Sequence, residues 1–459
     1  MVAGLCARVF AVWRRVLSLA WPVMADHTLR TLMRTTDVVV TGLFSPAAVA
    51  AIGLADLYAR LPLRIGLGLG GGAVALSSQD TGRDATADRD EAVTQALVVG
   101  VLAGVPFVAL GFLLGERAIA LLGASDRVAE MGGAYLAVVF ATAPARHVAL
   151  IGARSLQGTG DTLTPMYVNV VGNLLNIAGT AALGLGLGPF PRLEIVGVGL
   201  ATAFGNVVVA VALLAAIGGP WTDASFARPT DATITRQLLA VSVPRTLEGF
   251  ATTAAEFPFN AILLGFGTEV NAAYQVGLRL RQQVTSPLAR GYRVAASVLV
   301  GQTLGAGDPE GARFEGWATA ALALLTVGAA GLALFFGASA FARLFTSDPA
   351  TLEYAADFAR AYGLAAPFLA LLTVLSGALQ GAGDTRTPLV ARATGMFGIM
   401  VGFSWLFGVR LGYGVAAVYA AIVCFFVWSF LVVAAGFRYG DWAARAAEMM
   451  DERASPERA

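Results

Sequence analysis

The chain of 459 residues contains no lysine. Apart from two histidines, every side-chain cation is therefore an arginine, and the GK[ST] lysine of a phosphate-binding P-loop cannot exist, which excludes an ATP-driven motor of that type. Cysteine is almost as scarce: Cys6 near the start and Cys424 in an apolar run give no disulfide framework and set no compartment. Two histidines give no metal cluster, and no metal or cofactor is expected. Charge is scarce too, at 13% of residues where a soluble domain carries about a quarter, and the net charge of +1 gives no nucleic acid a reason to bind.

What is present instead is hydrophobic surface. Hydrophobic residues make up 57% of the chain and the mean hydropathy is +0.71, so most of it must face lipid or protein buried within a bilayer. The Arg-bearing start (Arg8, Arg14, Arg15) followed by an apolar stretch has the outline of a signal peptide. That stretch holds Asp26, Arg30, Arg34 and Asp37, however, and reads as a first membrane helix. Apolar stretches of about 20 residues, the length needed to span, fall near 15–43, 47–78, 92–115, 128–156, 165–188 and 194–217. They recur near 238–266, 270–303, 313–340, 350–379, 388–409 and 412–436.

The second set repeats the first. LQGTGDTLTP at 156–165 returns as LQGAGDTRTP at 379–388, a displacement of 223 residues, and Pro144 with Pro367 and Gln79 with Gln302 keep the same offset. Pro22 with Pro244 and Ser125-Asp126 with Ser347-Asp348 are displaced by 222, the scatter expected of an old duplication with small indels. Because six spans is an even number, the second half enters from the same side as the first. The expected fold is an all-α polytopic membrane protein: twelve transmembrane helices in two parallel six-helix bundles, related by a pseudo-twofold axis along the membrane normal and facing a central cavity. The expected organisation is an N-terminal lobe at 1–217, an inter-lobe linker at 218–236, a C-terminal lobe at 237–437 and a polar tail at 438–459. Arginines concentrate on the side that holds both termini and the even-numbered loops, which makes that side cytoplasmic; the plasma membrane is the expected location. Gly66, Gly68 and Gly71 formally spell the dinucleotide fingerprint GxGxxG, but they lie inside a long apolar helix and read as small residues for close helix packing.

Charges inside the spans carry the functional signal. On the first span Asp26, Arg30, Arg34 and Asp37 occur at steps of four, four and three, which at roughly 100° per residue places them on one face. The second span carries Asp56, Arg60 and Arg64, and the fourth Arg146 and His147. The seventh has Arg245, Glu248, Thr252, Glu256 and Asn260 on one face; the eighth, read as continuous, has Arg279, Gln282, Gln283, Ser286, Arg290 and Arg293 on another. A charge at mid-bilayer costs about 2.5–3.5 kcal/mol, so these groups must face water or one another. Pairs such as Asp26 with Arg30 and Asp56 with Arg60 can neutralise locally. Arginines outnumber acids in the stripes, and the surplus is expected to line the cavity, with Arg30, Arg34, Arg60, Arg64 and Arg146 from the first half and Arg279, Arg290 and Arg293 from the second, beside Asp26, Glu248 and Glu256.

With Pro22 fifteen residues before Asp37, the doubled LQGxGDTxTP loop, and GQTLGAGD at 301–308, the chain resembles the multidrug and toxic compound extrusion (MATE) transporters over nearly its whole length. Without a strong acid at the usual second-half position it looks closest to the DinF-like branch. The resemblance implies a V-shaped antiporter, not an enzyme, that expels amphipathic small molecules from the membrane in exchange for H+ or Na+. A monomer is the expected state. Asp37 looks like the family's ion-coupling carboxylate. LLNIAGTAALG resembles the fifth-helix LNIxLDP motif, so Asn176 matches its asparagine, and Thr202 matches a sixth-helix threonine. Thr180 stands where that motif has its aspartate and Ala181 where it has proline. A single carboxylate favours protonation, or a sodium site completed by neutral oxygens. Pro22 removes a helix hydrogen bond near the stripe and offers either a bending hinge or an inert packing kink. The arginine surplus also supports an alternative: an exporter or flippase of anionic organic or phosphate-bearing substrates, since guanidinium forks suit carboxylate and phosphate. A receptor or scaffold has no use for so many buried charges, and a channel needs no duplicated lobes.

Overall fold

The computed structural model describes residues 2–454, and these fold into helices joined by short connections. The first half runs through α1 (Val2–Gly42), α2 (Pro46–Gly82), α3 (Thr86–Ala120), α4 (Asp126–Ala141), α5 (Ala143–Thr159), α6 (Leu163–Gly179), a π-helical turn (Thr180–Gly184) and α7 (Glu194–Gly218). The second half runs through α8 (Ala232–Phe266), α9 (Thr268–Val284), α10 (Ser286–Gly305), α11 (Pro309–Phe336), α12 (Ala338–Ala342), α13 (Pro349–Gly381), α14 (Arg386–Thr394), a π-helical stretch (Gly395–Arg410), α15 (Val415–Tyr439) and α16 (Trp442–Ala454).

Among the described residues eight helices combine the length and apolarity to cross a membrane, and α4 with α5 form a ninth span bent by 48°. The remaining three expected spans are α1, α8 and the α9–α10 pair, each of which carries several charged residues within the span. Two spans that sequence periodicity reads as continuous are broken, at Thr142 between α4 and α5 and at Thr285 between α9 and α10. In each case a proline, Pro144 or Pro287, lies in the first turn of the following helix, where it supplies no backbone N–H and crowds the preceding turn. The eighth-span stripe is corrected accordingly: Arg279 lies on α9, Arg290 and Arg293 lie on α10, and no single helical face joins them.

The doubled loop has one structure built twice. In the first copy Gly160 takes φ +99°, the N–H of Asp161 donates to the Leu156 carbonyl at 3.1 Å, and the Asp161 carboxylate accepts from the N–H groups of Leu163 and Thr164. In the second Gly383 takes φ +83°, Asp384 donates to Leu379 at 2.8 Å, and its carboxylate accepts from the N–H groups of Arg386 and Thr387. Glycine supplies the left-handed turn that ends one helix, and aspartate satisfies the free N–H groups that begin the next. That division of labour explains why GxGDT is kept in both copies.

The helices gather into two compact units that follow the sequence halves with exchanges at the edges. Among the described residues, one unit contains residues 241–454 together with residues 2–24 and Ser78–Asp84; the other contains Ala25–Ser77 and Ala85–Ala240. Within the first unit Val12, Val16 and Ala20 of α1 share a core with Phe259, Tyr292 and Leu299. The Trp13 indole N–H donates to the Ala318 carbonyl at 2.9 Å, and Arg15 pairs with Glu315 at 2.8 Å. The end of α2 crosses α10 at glycines: a Cβ on Gly82 would lie 2.0 Å from the Gln302 carbonyl oxygen, and one on Gly305 would lie 2.1 Å from that of Gln79. The expected polar tail is largely a docked helix. On α16 Trp442, Ala446 and Met450 are buried, and the fully buried Arg453 donates to Asp80 at 2.9 Å and to Gln79 at 3.1 Å. The last tail residues, 455–459, lie outside the described residues.

The second unit has its own core, including Ala51, Ile119, Leu136, Phe140 and Val198. The expected linker is strapped to the start of α3 within this unit. Glu91 accepts from the N–H groups of Thr230 and Asp231, Asp90 from the N–H and hydroxyl of Ser225, and Arg89 donates to the Asp223 carbonyl.

Candidate ion-coupling site and charged clusters

On α1 the steps of four and three bring Asp26, Arg30, Arg34 and Asp37 to one side, but their partners differ. Asp26 pairs with Arg30 at 3.5 Å. Arg34 lies in the electrostatic field of Asp56 and Arg60, and Arg146 in that of Asp56, Arg34 and Tyr135. Asp37 instead accepts a hydrogen bond from the Thr180 hydroxyl at 3.0 Å. Thr180 is fully buried and opens the π-helical turn that follows α6, a geometry that re-aims one residue out of the regular helical ladder. One helical turn earlier, the buried Asn176 donates through its amide to the Thr202 hydroxyl at 3.0 Å, and the Asn176 carbonyl oxygen has no hydrogen-bond partner among the described residues. Two of the four expected coupling residues therefore meet directly in each of two pairs, Asp37 with Thr180 and Asn176 with Thr202, with i,i+4 spacing joining the pairs along one helix face. The oxygen that contacts the Asp37 carboxylate is neutral, the Thr180 hydroxyl, with the oxygens of Asn176 and Thr202 one turn away on the same helix face and its neighbour, and with Asp56 and Arg34 in its electrostatic field. Such a set suits a proton on Asp37 or a sodium ion with oxygen ligands, and among the described residues no group of three or more His, Cys, Asp and Glu is arranged to hold a metal ion.

The C-terminal unit arranges its charges differently. Glu248 on α8 is 4% exposed and accepts from Arg245 one turn before it, while Arg392 of α14 approaches it at 3.5 Å. Arg293 donates to Gln380 at 3.0 Å, and the Arg281 guanidinium lies over the Tyr362 ring, 5.4 Å from its centroid. Glu256 contributes its backbone carbonyl to the Asn260 amide at 2.8 Å. Arg279 and Arg290 are exposed, Arg64 is half-buried and Pro22 is buried. Sequence reasoning passed over Arg392, Arg281 and Tyr362. Arg392 had a readable signal, a cation in an otherwise apolar stretch after the second GDTxTP loop, whereas the aromatic cover of Arg281 comes from a distant helix and had none.

A family model, MatE, matches residues 22–182 and again 244–406, so the two matched stretches begin at the paired prolines Pro22 and Pro244 and together take in most of the chain. The chain belongs to the MATE family. It is a membrane transporter and not an enzyme. Its relatives include proteins named probable multidrug resistance protein NorM: one from Rhodopseudomonas palustris, 30% identical over 92% of each chain, and one from Thermotoga maritima, 26% identical over 82% of each. Among solved structures, a MATE crystal structure in a bent conformation aligns with TM-score 0.84 at 20% identity over 97% of each chain, and one in a straight conformation with TM-score 0.84 at 21% over 95% of this chain and 96% of that one. This MATE chain thus has the two-lobe, twelve-helix fold of those structures.

Proposed function

We propose that the protein is a secondary active multidrug efflux transporter of the plasma membrane, working as a monomer with its termini in the cytoplasm, and that it exchanges amphipathic compounds for H+ or Na+ by alternating access. The NorM-named relatives support the efflux reading. The observation that carries the coupling is Asp37: a carboxylate in a membrane-spanning helix whose side-chain partner is a neutral hydroxyl at 3.0 Å and not an arginine. An acid without a saturating cation can take up and give back a small cation as its surroundings change. Pro22 serves as the bending point of α1, at the place where the helix passes from one compact unit to the other. Purified protein reconstituted in liposomes with imposed proton or sodium gradients tests the reading. Wild type is expected to move dye only when one of the two gradients is present, and Asp37→Asn to abolish that coupling while inserting normally. Unchanged gradient-driven transport in Asp37→Asn removes Asp37 from the mechanism.

A second reading, export of substrates with a carboxylate or phosphate, is supported by the arginine excess. Glu248 lies among Arg245, Arg293 and Arg392, and Asp56 among Arg34, Arg60 and Arg146. On this reading Arg64 and Arg290 contact the anion, and each charge-assisted bond contributes about 1.5–3 kcal/mol, so Arg64→Gln or Arg290→Gln weakens an anionic dye roughly ten- to hundredfold and leaves a cationic dye unaffected or tighter. Equal losses for both dyes reject anion selectivity.

A further inference from the structure

His147 of α5 is completely buried, and both of its ring nitrogens face backbone carbonyl oxygens: Nδ1 lies 2.8 Å from the Gly100 oxygen on α3, and Nε2 lies 2.8 Å from the Pro62 oxygen on α2. A carbonyl oxygen only accepts. A neutral imidazole has one N–H and one bare lone pair, so it can satisfy one of these contacts and must set lone pair against lone pair in the other. Flipping the ring by a half-turn presents carbons to both oxygens and loses both bonds. The imidazolium, with an N–H on each nitrogen, is the one form that satisfies both. The fold has made room for the ring at this spot, because a Cβ on Gly66 would lie 2.8 Å from the His147 Cδ2 atom. Gly66 is the first glycine of the GxGxxG string, and this contact accounts for the absence of a side chain there.

We propose that His147 is a proton-binding site: as an imidazolium it bridges α2 and α3 from α5, and on losing a proton it must release one of the two helices. In that step an N–H bond breaks, its electron pair stays on the ring nitrogen and the proton goes to water. The charges on the surrounding elements define what competes with the two carbonyls. On α5 these are Arg146, adjacent in sequence and electrostatically coupled to the ring, and Arg154. On α2 they are Asp56, Arg60, Arg64 and, near its end, Asp80; α1 brings Asp26, Arg30 and Arg34 into the field of the α5 arginines, and α4 carries Asp126, Arg127, Glu130 and Tyr135. The charges of α3 lie at its ends, in Asp88–Glu91 and at Glu116 and Arg117, α6 has none, and α7 has Glu194 at its start. The adjacent guanidinium repels an imidazolium and the two carbonyl dipoles hold it, so the proton is retained only while both carbonyls stay in place. Proton occupancy is thereby tied to the packing of three helices.

The chain has two histidines, so His27→Gln leaves His147 as its single ring signal. In the full-length protein labelled with nitrogen-15 histidine and held in nanodiscs, both ring nitrogens are expected to be protonated at about pH 7, in the range where an ordinary histidine is largely neutral. A majority of one protonated and one bare nitrogen at that pH overturns the proposal. The Asp37→Asn change in the same background is expected to leave this spectrum unaltered, which separates the His147 site from the Asp37 coupling. Thermal unfolding gives a second readout. The two bonds of the imidazolium are present at low pH and lost as pH rises, so wild type is expected to lose stability relative to His147→Gln between about pH 6 and pH 9. A difference that stays flat across that window also overturns it. Should His147→Gln fail to fold, the ring spectrum of the histidine-bearing chain still decides.

Discussion

The two halves of this transporter descend from one unit, yet two of their intramembrane acids, the half-buried Asp37 and the buried Glu248, sit in opposite surroundings. Asp37 in the first half meets a threonine hydroxyl, whereas Glu248 in the second is 4% exposed and meets Arg245 and Arg392. A carboxylate between two guanidinium groups is already neutralised and has no call for a mobile cation; a carboxylate beside a hydroxyl is not. Duplication supplied the same scaffold twice; under the proposed function, the choice of neighbours makes one acid exchangeable and the other structural. The doubled GDTxTP loops differ much less, because their glycine and aspartate answer to backbone geometry that both copies need.

The largest expected effect contrasts these two acids. Asp37→Asn is expected to abolish gradient-driven transport with little change in thermal stability. Glu248→Gln is expected to do the reverse, lowering stability by about 3 kcal/mol because two half-buried arginines lose their counter-charge. Melting curves and liposome transport on the same two preparations check this, and a stable Glu248→Gln protein that has lost coupling breaks the assignment of roles. A smaller effect is expected at the partner of Asp37. Thr180→Ala removes one hydrogen bond worth about 0.5–1.5 kcal/mol and should shift the half-saturating concentration of the coupling ion about two- to tenfold, with turnover retained. An unchanged ion dependence shows that the hydroxyl is not part of the site. The mildest test bears on the duplication itself. Leu163 and Arg386 occupy equivalent exposed positions just after the two GDT turns, 223 residues apart. With the exposed Cys6 and Cys424 replaced, single cysteines there should react with an impermeant maleimide from the same, cytoplasmic side. Labelling from opposite sides breaks the parallel-repeat arrangement.

Much of this architecture was written in local sequence. The repeat is visible as near-identical strings, and the spans are visible as apolar length, because a bilayer admits only segments whose backbone bonds are satisfied internally. Asp37 was legible because a charged stripe in a membrane helix has to be explained and because its spacing from Pro22 matches the family resemblance. The breaks at Thr142 and Thr285 were less so: Pro144 and Pro287 were plain in the sequence, but a proline in a membrane helix can be absorbed as a gentle kink, and only packing settles how far the chain turns. The docking of α16 was read as a tail because its surface residues are polar, and the buried Arg453 finds Asp80 across 373 residues of chain.

The sequence by itself therefore determined the class of fold, the duplication and the inventory of charges, all of which depend on residue type and short-range spacing. Local spacing already set the i,i+4 pair Asp26–Arg30, but tertiary structure alone decided which charge meets which partner on another helix. Arg392 with Glu248, Thr180 with Asp37 and the two carbonyls at His147 are contacts between helices far apart in the chain. Their energies depend on distances of a few ångströms that no periodicity encodes, and in a medium of low polarity those distances separate a structural ion pair from an exchangeable site.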